Sequence, residues 1–175
     1  LRCDYGRRDH AEYIFTIFHR LNAGGMRLNN QEIRNAVYNG PFNIFLKEMD
    51  EYLPWRKLLG VKEGNIDRFR RSELILRFFA FYDYRDEYSG RLSSFLNTYM
   101  YDHRYANDSI IDSKRLIFKN VIDLILNKIS DNEPLQKKII KGRVSNALIE
   151  SIMLGVACNL PKIEDKGKTQ LKSSF

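Results

Sequence analysis

The sequence contains few of the residues that build metal sites or disulfide frameworks. Its 175 residues include two cysteines and three histidines. None of them stands in a His-x-x-x-His or Cys-x-x-Cys frame, so we predict no metal site. Cys3 and Cys158 lie at opposite ends of the chain. Their spacing requires no disulfide, and free thiols in a reducing compartment are the favoured interpretation.

Long apolar runs are lacking as well. The longest candidate, from Ile149 to Leu160, is interrupted by Glu150, Ser151, Gly155 and Asn159. A membrane-spanning helix needs about 20 consecutive apolar residues. We therefore expect no membrane partner and a cytoplasmic location. Clean alternation of apolar and polar residues, the mark of a strand, is also missing.

Apolar and aromatic residues are abundant. They make up 43% and 13% of the chain, which is enough for one packed domain. Because the apolar residues recur at helical intervals, the sequence predicts an all-α fold, a multi-helix orthogonal bundle. The predicted helices span 9–21, 30–38, 41–52, 72–84, 92–103, 112–130, 134–141 and 144–159. Residues 1–106 form the first region, 107–160 add further helices or a small lobe, and 161–175 are expected to be a flexible basic tail.

The net charge of +7 favours contact with polyanions such as DNA. Two basic clusters could touch phosphates, and the first of them encloses an aromatic residue, Phe69. The candidate DNA contacts are Arg68, Arg70 and Arg71 in the first cluster and Lys137, Lys138, Lys141 and Arg143 in the second. For either cluster taken singly, a solvated helix surface is the favoured alternative.

Polar residues are dense between Phe18 and Asn35. Asn29 or Asn30 is predicted to cap the second helix, and Glu32 lies in its first turn, where the helix dipole favours a carboxylate. Gly24 and Gly25 predict a tight turn between two helices. The alternative is a polar anion pocket, formed by Asn22, the glycine amides and the helix N-terminus. Arg20 and Arg27 flank this position and could hold a phosphate.

Gln31, Arg34 and Asn35 share one face of the second helix. No nucleophile stands beside a base, so catalytic residues stay unknown and catalysis by this chain alone is not predicted. Arg77 lies in an apolar helix, and Glu73 is its expected partner.

This stretch resembles the signature Phe-x-Arg-(Ile/Leu)-Asn-x-Gly-Gly-x-x-Leu-x-x-Gln-Glu-(Ile/Leu)-Arg-Asn of the GmrSD restriction-enzyme N-terminal domain family, in the ParB/sulfiredoxin-like group. Residues 73–81 resemble the family's E-x-x-L-R-F-x-A-F helix. Residues 88–100 resemble its Y-x-G … F-L-N-x-x-M segment. The signature matches are Phe18, Arg20, Leu21, Asn22, Gly24, Gly25, Leu28, Gln31, Glu32, Ile33, Arg34 and Asn35.

The resemblance implies a prokaryotic protein of phage defence or modification-dependent restriction. In that family a ParB-like α/β half is associated with nucleotide hydrolysis and recognition of modified DNA, often with a nuclease domain or subunit. Its Asp-Gly-Gln-Gln-Arg motif does not occur here, and Leu1–Asp4 resembles the tail of a truncated strand. We therefore expect this chain to be the helical half of a larger α/β + α domain.

The implied partners are the missing N-terminal half, DNA and a nuclease, and the implied cofactor of the full-length protein is a nucleoside triphosphate with Mg²⁺. The residues themselves identify no cofactor. Whether the parent protein is an NTPase or nuclease component stays open. A non-enzymatic interdomain scaffold and a DNA-binding regulatory module are the alternatives. The residues expected at the nucleotide site or interdomain seam are Arg20, Asn22, Gly24, Gly25, Gln31, Glu32, Arg34 and Asn35.

Overall fold

The described part of the chain is helical throughout its regular structure, which confirms the all-α prediction. The computed structural model describes residues 7–21, 28–61, 68–138 and 145–172, with the side chains of all but 68, 138 and 161–172. The strand expected at Leu1–Asp4 lies outside these residues. The helices are α1 (Arg8–Leu21), α2 (Asn30–Val37), α3 (Pro41–Asp50), α4 (Leu53–Leu58), α5 (Arg68–Tyr84), α6 (Leu92–His103), α7 (Asp108–Leu124), α8 (Leu135–Lys138) and α9 (Asn146–Lys172).

Several helix ends differ from their predicted positions. α7 begins at Asp108 rather than at residue 112, because the side chain of Asn107 accepts a hydrogen bond from the backbone of Ile110 and caps the helix. The predicted end of the last helix at Asn159 was wrong, since α9 continues through Pro161 to Lys172. A proline removes one backbone donor, and most of the residues that follow it are good helix formers.

The chain groups into two compact units. The first comprises Leu1–Tyr52 and Lys62–Arg115, and the second comprises Leu53–Val61 and Leu116–Phe175. The change of unit falls inside α7, whereas the sequence-based division was placed at residue 107. None of the described helices combines the length and the apolar character that a membrane-spanning helix needs.

In the first unit α5 is the central helix and packs against α2, α3 and α6. Almost every position of its middle turns is buried, including the run Leu74–Leu76 and the pair Phe78 and Phe79. A helix that is apolar on all sides has to be surrounded by other helices. α1 packs against α2 and α6, so the polar start of α2 lies between α1 and α5.

Gly40 precedes α3 at a close approach of two backbone segments. A Cβ atom on this residue would lie 2.2 Å from the backbone carbonyl oxygen of Arg104. Glycine is the residue without that atom, so it allows the α3 N-terminus to meet the end of α6. The N-terminal Pro41 then starts α3 in the position where proline is best tolerated.

The second unit contains α4, the end of α7, α8 and α9. Trp55 of α4 is fully buried and meets Phe118 edge to face, with ring centroids 5.6 Å apart. α7 ends in a π-helical turn, Ile125–Ile129, which packs against α4. Gly60 follows α4 with a φ of 65°, a left-handed conformation that favours glycine.

Candidate functional site

The signature segment begins α2 with a complete capping box. The side chain of Asn29 accepts a hydrogen bond from the backbone N–H of Glu32 at 2.9 Å. The carboxylate of Glu32 accepts one from the backbone N–H of Asn29 at 2.7 Å. The prediction that Asn29 caps this helix is confirmed. Both side chains therefore satisfy the helix N-terminus, which needs partners for its free N–H groups.

Arg34 lies one turn further along α2 and is buried, with 1% of its surface exposed. Its Nε donates to Oδ1 of Asn97 at 2.9 Å. Its Nη1 donates to Oε2 of Glu73 at 3.0 Å and to Oε1 of Gln31 at 3.3 Å. Its Nη2 is 3.4 Å from Oγ of Ser93. One guanidinium thus joins α2 to α5 and α6.

The surroundings of Arg34 are those of a structural ion pair. Burial lowers the pKa of Arg34, and the neighbouring Glu73 carboxylate opposes that shift. The guanidinium carbon lies 5.7 Å from the ring centre of Phe15 on α1, which adds a cation–π contact. A buried charge needs this many partners because it has lost its hydration.

The same network extends along α2 into α3. Nε2 of Gln31 donates to Oδ1 of Asn35 at 3.1 Å. Nδ2 of Asn43 on α3 donates to the backbone oxygen of Asn35 at 3.1 Å. Gln31 and Asn43 are buried, whereas Asn35 is partly exposed. Gln31 and Arg34 therefore bond to residues of this chain, and whether this face also lines a ligand site or an interdomain seam stays a prediction.

The partner of Glu73 differs from the one predicted. We expected Glu73 to bond Arg77, but its Oε2 accepts from Arg34 of another helix. Arg77 itself is half-buried. Asn97 is buried and accepts a hydrogen bond from Arg34, whereas Tyr88 is 39% exposed and packs on the ring of Phe81. Sequence spacing identifies neighbours on one helix, not those on adjacent helices.

The remaining signature candidates lie around the end of α1. Arg20 is exposed in the last turn of α1, where a cation is favoured by the helix dipole. Asn22, Gly24, Gly25 and Arg27 lie outside the described residues, so their predicted turn or anion pocket stays a prediction.

The first basic cluster separates into an exposed and a buried part. Arg70 is exposed. Arg71 is 5% exposed, and its Nε and Nη2 donate to the two carboxylate oxygens of Asp50 at 2.8 and 2.9 Å. This bidentate pair takes Arg71 away from the surface that a DNA contact requires. Arg68 begins α5, and its side chain is not among those described.

The second basic cluster is described only in part. Lys137 is exposed, and its Nζ is 3.0 Å from Oε2 of Glu133 one turn earlier. Such an exposed pair contributes little to stability and leaves the lysine accessible. The side chain of Lys138 is not described, and Lys141 and Arg143 lie outside the described residues. Their DNA contacts stay predictions.

The structure also brings together a polar cluster that the sequence did not indicate. Nζ of Lys114 donates to Asp83 and, at 2.8 Å, to Oη of Tyr99. Tyr99 in turn donates to Asp83. Burial, followed by the nearby Asp83 carboxylate, raises the pKa of Tyr99. The three groups satisfy one another in a closed triangle, which is the arrangement of a structural network rather than of an open site.

His103 lies beside this triangle. Its ring stacks on Tyr99 with centroids 4.0 Å apart, and its Nδ1 lies 3.1 Å from the backbone oxygen of Tyr99, to which the N–H form donates. Burial and then the charge of Lys114 lower the pKa of His103, so the neutral ring is favoured. Within the described residues, no group of three His, Cys, Asp or Glu side chains could hold a metal ion.

Comparisons with protein-family models, with curated proteins and with solved structures each find no match to this chain. The resemblance to the GmrSD family therefore depends on the signature residues alone and stays a prediction.

Proposed function

We propose that this chain is the helical part of a prokaryotic defence protein of the modification-dependent restriction type. In this proposal the signature segment is a folding scaffold that shapes the surface offered to a ParB-like half and to DNA. It supplies no catalytic group itself. Nucleotide hydrolysis and DNA cleavage would belong to the α/β half and to a nuclease domain or subunit.

The buried Arg34 network supports the scaffold part of this proposal, and the defence part is what the family resemblance implies. Each guanidinium nitrogen donates to a side chain of α5 or α6, so this buried arginine of the signature holds helices together. Glu32 is likewise used in the capping box. Residues that act on a ligand leave donors or acceptors for it, whereas these two side chains are occupied within the fold.

Thermal unfolding of Arg34→Ala tests the scaffold. Removal of the guanidinium leaves the Glu73 carboxylate and the Asn97 amide without their main partner, at a cost of about 4 to 5 kcal/mol in the free energy of unfolding. Circular dichroism measures the loss. Arg20→Ala, which removes an exposed signature arginine, is the control, with a change within about 0.5 kcal/mol. A folded Arg34→Ala variant of unchanged melting temperature would contradict the scaffold.

The second candidate is a DNA-binding regulatory module. It is favoured by the net charge of +7 and by the exposure of Arg70 next to Phe69. Fluorescence anisotropy of the chain with labelled duplex DNA, over a salt titration, tests it. Phosphate contacts predict binding that weakens steeply with salt, and Arg70→Ala should lower the salt slope by about 1. No binding at low salt would assign the DNA contact to another part of the parent protein.

A further inference from the structure

An open groove lies between α3 and the start of α7. Its volume is about 230 Å³, and it combines apolar with charged side chains. The lining residues, all of which belong to the first unit, are Pro41, Ile44, Phe45, Glu48, Asp108, Ile111 and Arg115. Neither the signature nor the two basic clusters contribute a residue, so this surface is independent of every candidate that the sequence indicated.

The apolar part of the groove is open to solvent. Ile44 is 62% exposed, and Pro41 is exposed beside it. The backbone of Arg104 closely approaches Gly40, so the next residue, Tyr105, lies near the start of α3, and it is 72% exposed. A single exposed apolar residue needs no explanation, whereas several of them around a groove are typical of an interaction site.

The charged part of the groove has more acids than bases. Nε and Nη2 of Arg115 donate to the two carboxylate oxygens of Glu48 at 3.0 and 2.9 Å. Its Nη1 donates to Asp112, so both carboxylates compensate one guanidinium. Asp108 is exposed at the start of α7, and no cation of the described residues pairs with it. Three carboxylates therefore accompany one cation, and the groove has an excess of negative charge.

The other cations of these two helices within the first unit contact different parts of the protein. Lys47 of α3 lines another cavity, together with Asn35. Lys114 of α7 is buried and donates to Asp83 and Tyr99. The groove is thus locally acidic on a chain whose net charge is +7. Such a surface repels the phosphates of DNA and attracts lysine and arginine side chains.

We propose that this groove binds a basic amphipathic helix of a partner protein. An apolar side chain of that helix enters between Ile44 and Ile111, and its lysine or arginine side chains pair with Asp108 and Asp112. Amphipathic helices bind grooves in this way, through apolar anchors three or four residues apart. Charge selects the occupant, because an acidic helix would gain the apolar contact and lose more by repulsion. The inference goes beyond the proposed function and depends on no signature residue.

Fluorescence anisotropy of two labelled peptides with the 175-residue chain tests the proposal. Both peptides are amphipathic helices with leucine on one face, and the other face carries lysine in the first peptide and glutamate in the second. We expect saturable binding of the Leu/Lys peptide, with the Leu/Glu peptide about tenfold weaker. Because the whole chain is positively charged, non-specific attraction would favour the glutamate peptide. The expected order therefore requires a local acidic site.

One variant removes the apolar contact. Ile44→Ser should weaken binding of the Leu/Lys peptide about tenfold, since the anchor loses its apolar neighbour. The melting temperature should stay at the wild-type value because the side chain of Ile44 is mostly exposed. Tyr13→Ser, which removes an exposed apolar residue of α1, is the matched control and should bind like the wild type.

A second variant removes the charge. Asp108→Asn combined with Asp112→Asn keeps the shape of both side chains and should weaken binding of the Leu/Lys peptide about tenfold. It should also reduce the dependence of this binding on salt, which screens exposed charges. The matched control is Asp86→Asn with Glu87→Gln, two exposed acids outside the groove.

Three results would overturn the proposal. They are no saturable binding of the Leu/Lys peptide at millimolar concentration, equal or tighter binding of the Leu/Glu peptide, and affinities that the Ile44 and Asp108/Asp112 variants leave unchanged. Analytical ultracentrifugation of the chain alone supplies a further test. Self-association that Ile44→Ser abolishes would also overturn the proposal, and it would assign the groove to a second copy of this chain.

Discussion

Arg34 and Arg71 are two buried arginines of the same helical unit, and they are used differently. All three nitrogens of Arg34 donate to side chains of three helices. Arg71 bonds one residue, Asp50, and its Nη1 is buried without a hydrogen-bond partner in the described part of the chain. Asn43, close to Asn35, likewise has a buried Oδ1 without a partner there.

The difference shows that a high density of polar residues is a poor guide to a binding site. The signature around Arg34 is rich in polar residues, yet its described members on α2 bond one another or side chains of neighbouring helices. Close to Arg71, a cavity of about 260 Å³ is lined by residues that no single motif contains, namely Asn35, Lys47, Asp50, Glu51, Phe69 and Ser72. Buried polar groups that are fully satisfied fix a fold, whereas those left over indicate a function or a cost.

Among the variants that test this difference between the two arginines, Arg71→Ala should cause the largest further loss of stability. The buried carboxylate of Asp50 then loses the guanidinium that donates to both of its oxygens, at a cost of about 3 kcal/mol in the free energy of unfolding. The loss is smaller than for Arg34→Ala because one partner is lost instead of four. Urea denaturation followed by circular dichroism measures both.

Two further variants control that experiment. Arg70→Ala, an exposed neighbour, should change stability by less than about 0.5 kcal/mol. The double variant Asp50→Leu with Arg71→Met replaces the pair by apolar groups and should recover most of the loss. If the single variant Arg71→Ala unfolded at the same urea concentration as the wild type, the Asp50–Arg71 pair would not be buried.

Glu32→Ala gives an intermediate effect. It removes the carboxylate that accepts from the Asn29 backbone, so α2 loses half of its capping box and the protein about 1 kcal/mol of stability. Glu32→Gln keeps an acceptor and should lose less. Glu87→Ala, an exposed acid outside any capping box, is the control. Equal stability of Glu32→Ala and Glu32→Gln would argue against the box.

The smallest expected effect concerns pH. Because the folded state lowers the pKa of His103, the unfolded chain takes up this proton more readily. The free energy of unfolding should therefore fall as pH drops below about 6.5 and be unaffected by this group at higher pH. His103→Phe removes the titrating ring and should flatten that decline, although it also loses the bond to the Tyr99 backbone.

Urea titrations at about pH 5 and about pH 8 measure this slope. His19→Asn, which removes an exposed histidine at the end of α1, is the matched substitution for comparison. A decline of the same steepness in His103→Phe would assign the pH dependence to other groups.

Much of the fold could be predicted from local pattern. Apolar spacing identified α1, α2, α3 and α6 close to their observed ends, and Asn29 with Glu32 marked the start of α2. The end of α9 could not be predicted, because the pattern stopped at Pro161 while the helix did not. The partners of the polar side chains were harder to predict than the helix ends. Glu73 was assigned to Arg77 on the same helix, whereas it bonds Arg34, which lies 39 positions away in the sequence.

The sequence by itself therefore determined which segments are helical and which of their faces are apolar, since both follow from interactions within a few residues. Which polar groups form hydrogen bonds inside the protein depends on the tertiary structure. Asn97 meets Arg34 across 63 positions, and Asp50 meets Arg71 across 21. Such pairings depend on how helices pack, so the role of each arginine follows from the side chains that adjacent helices place beside it.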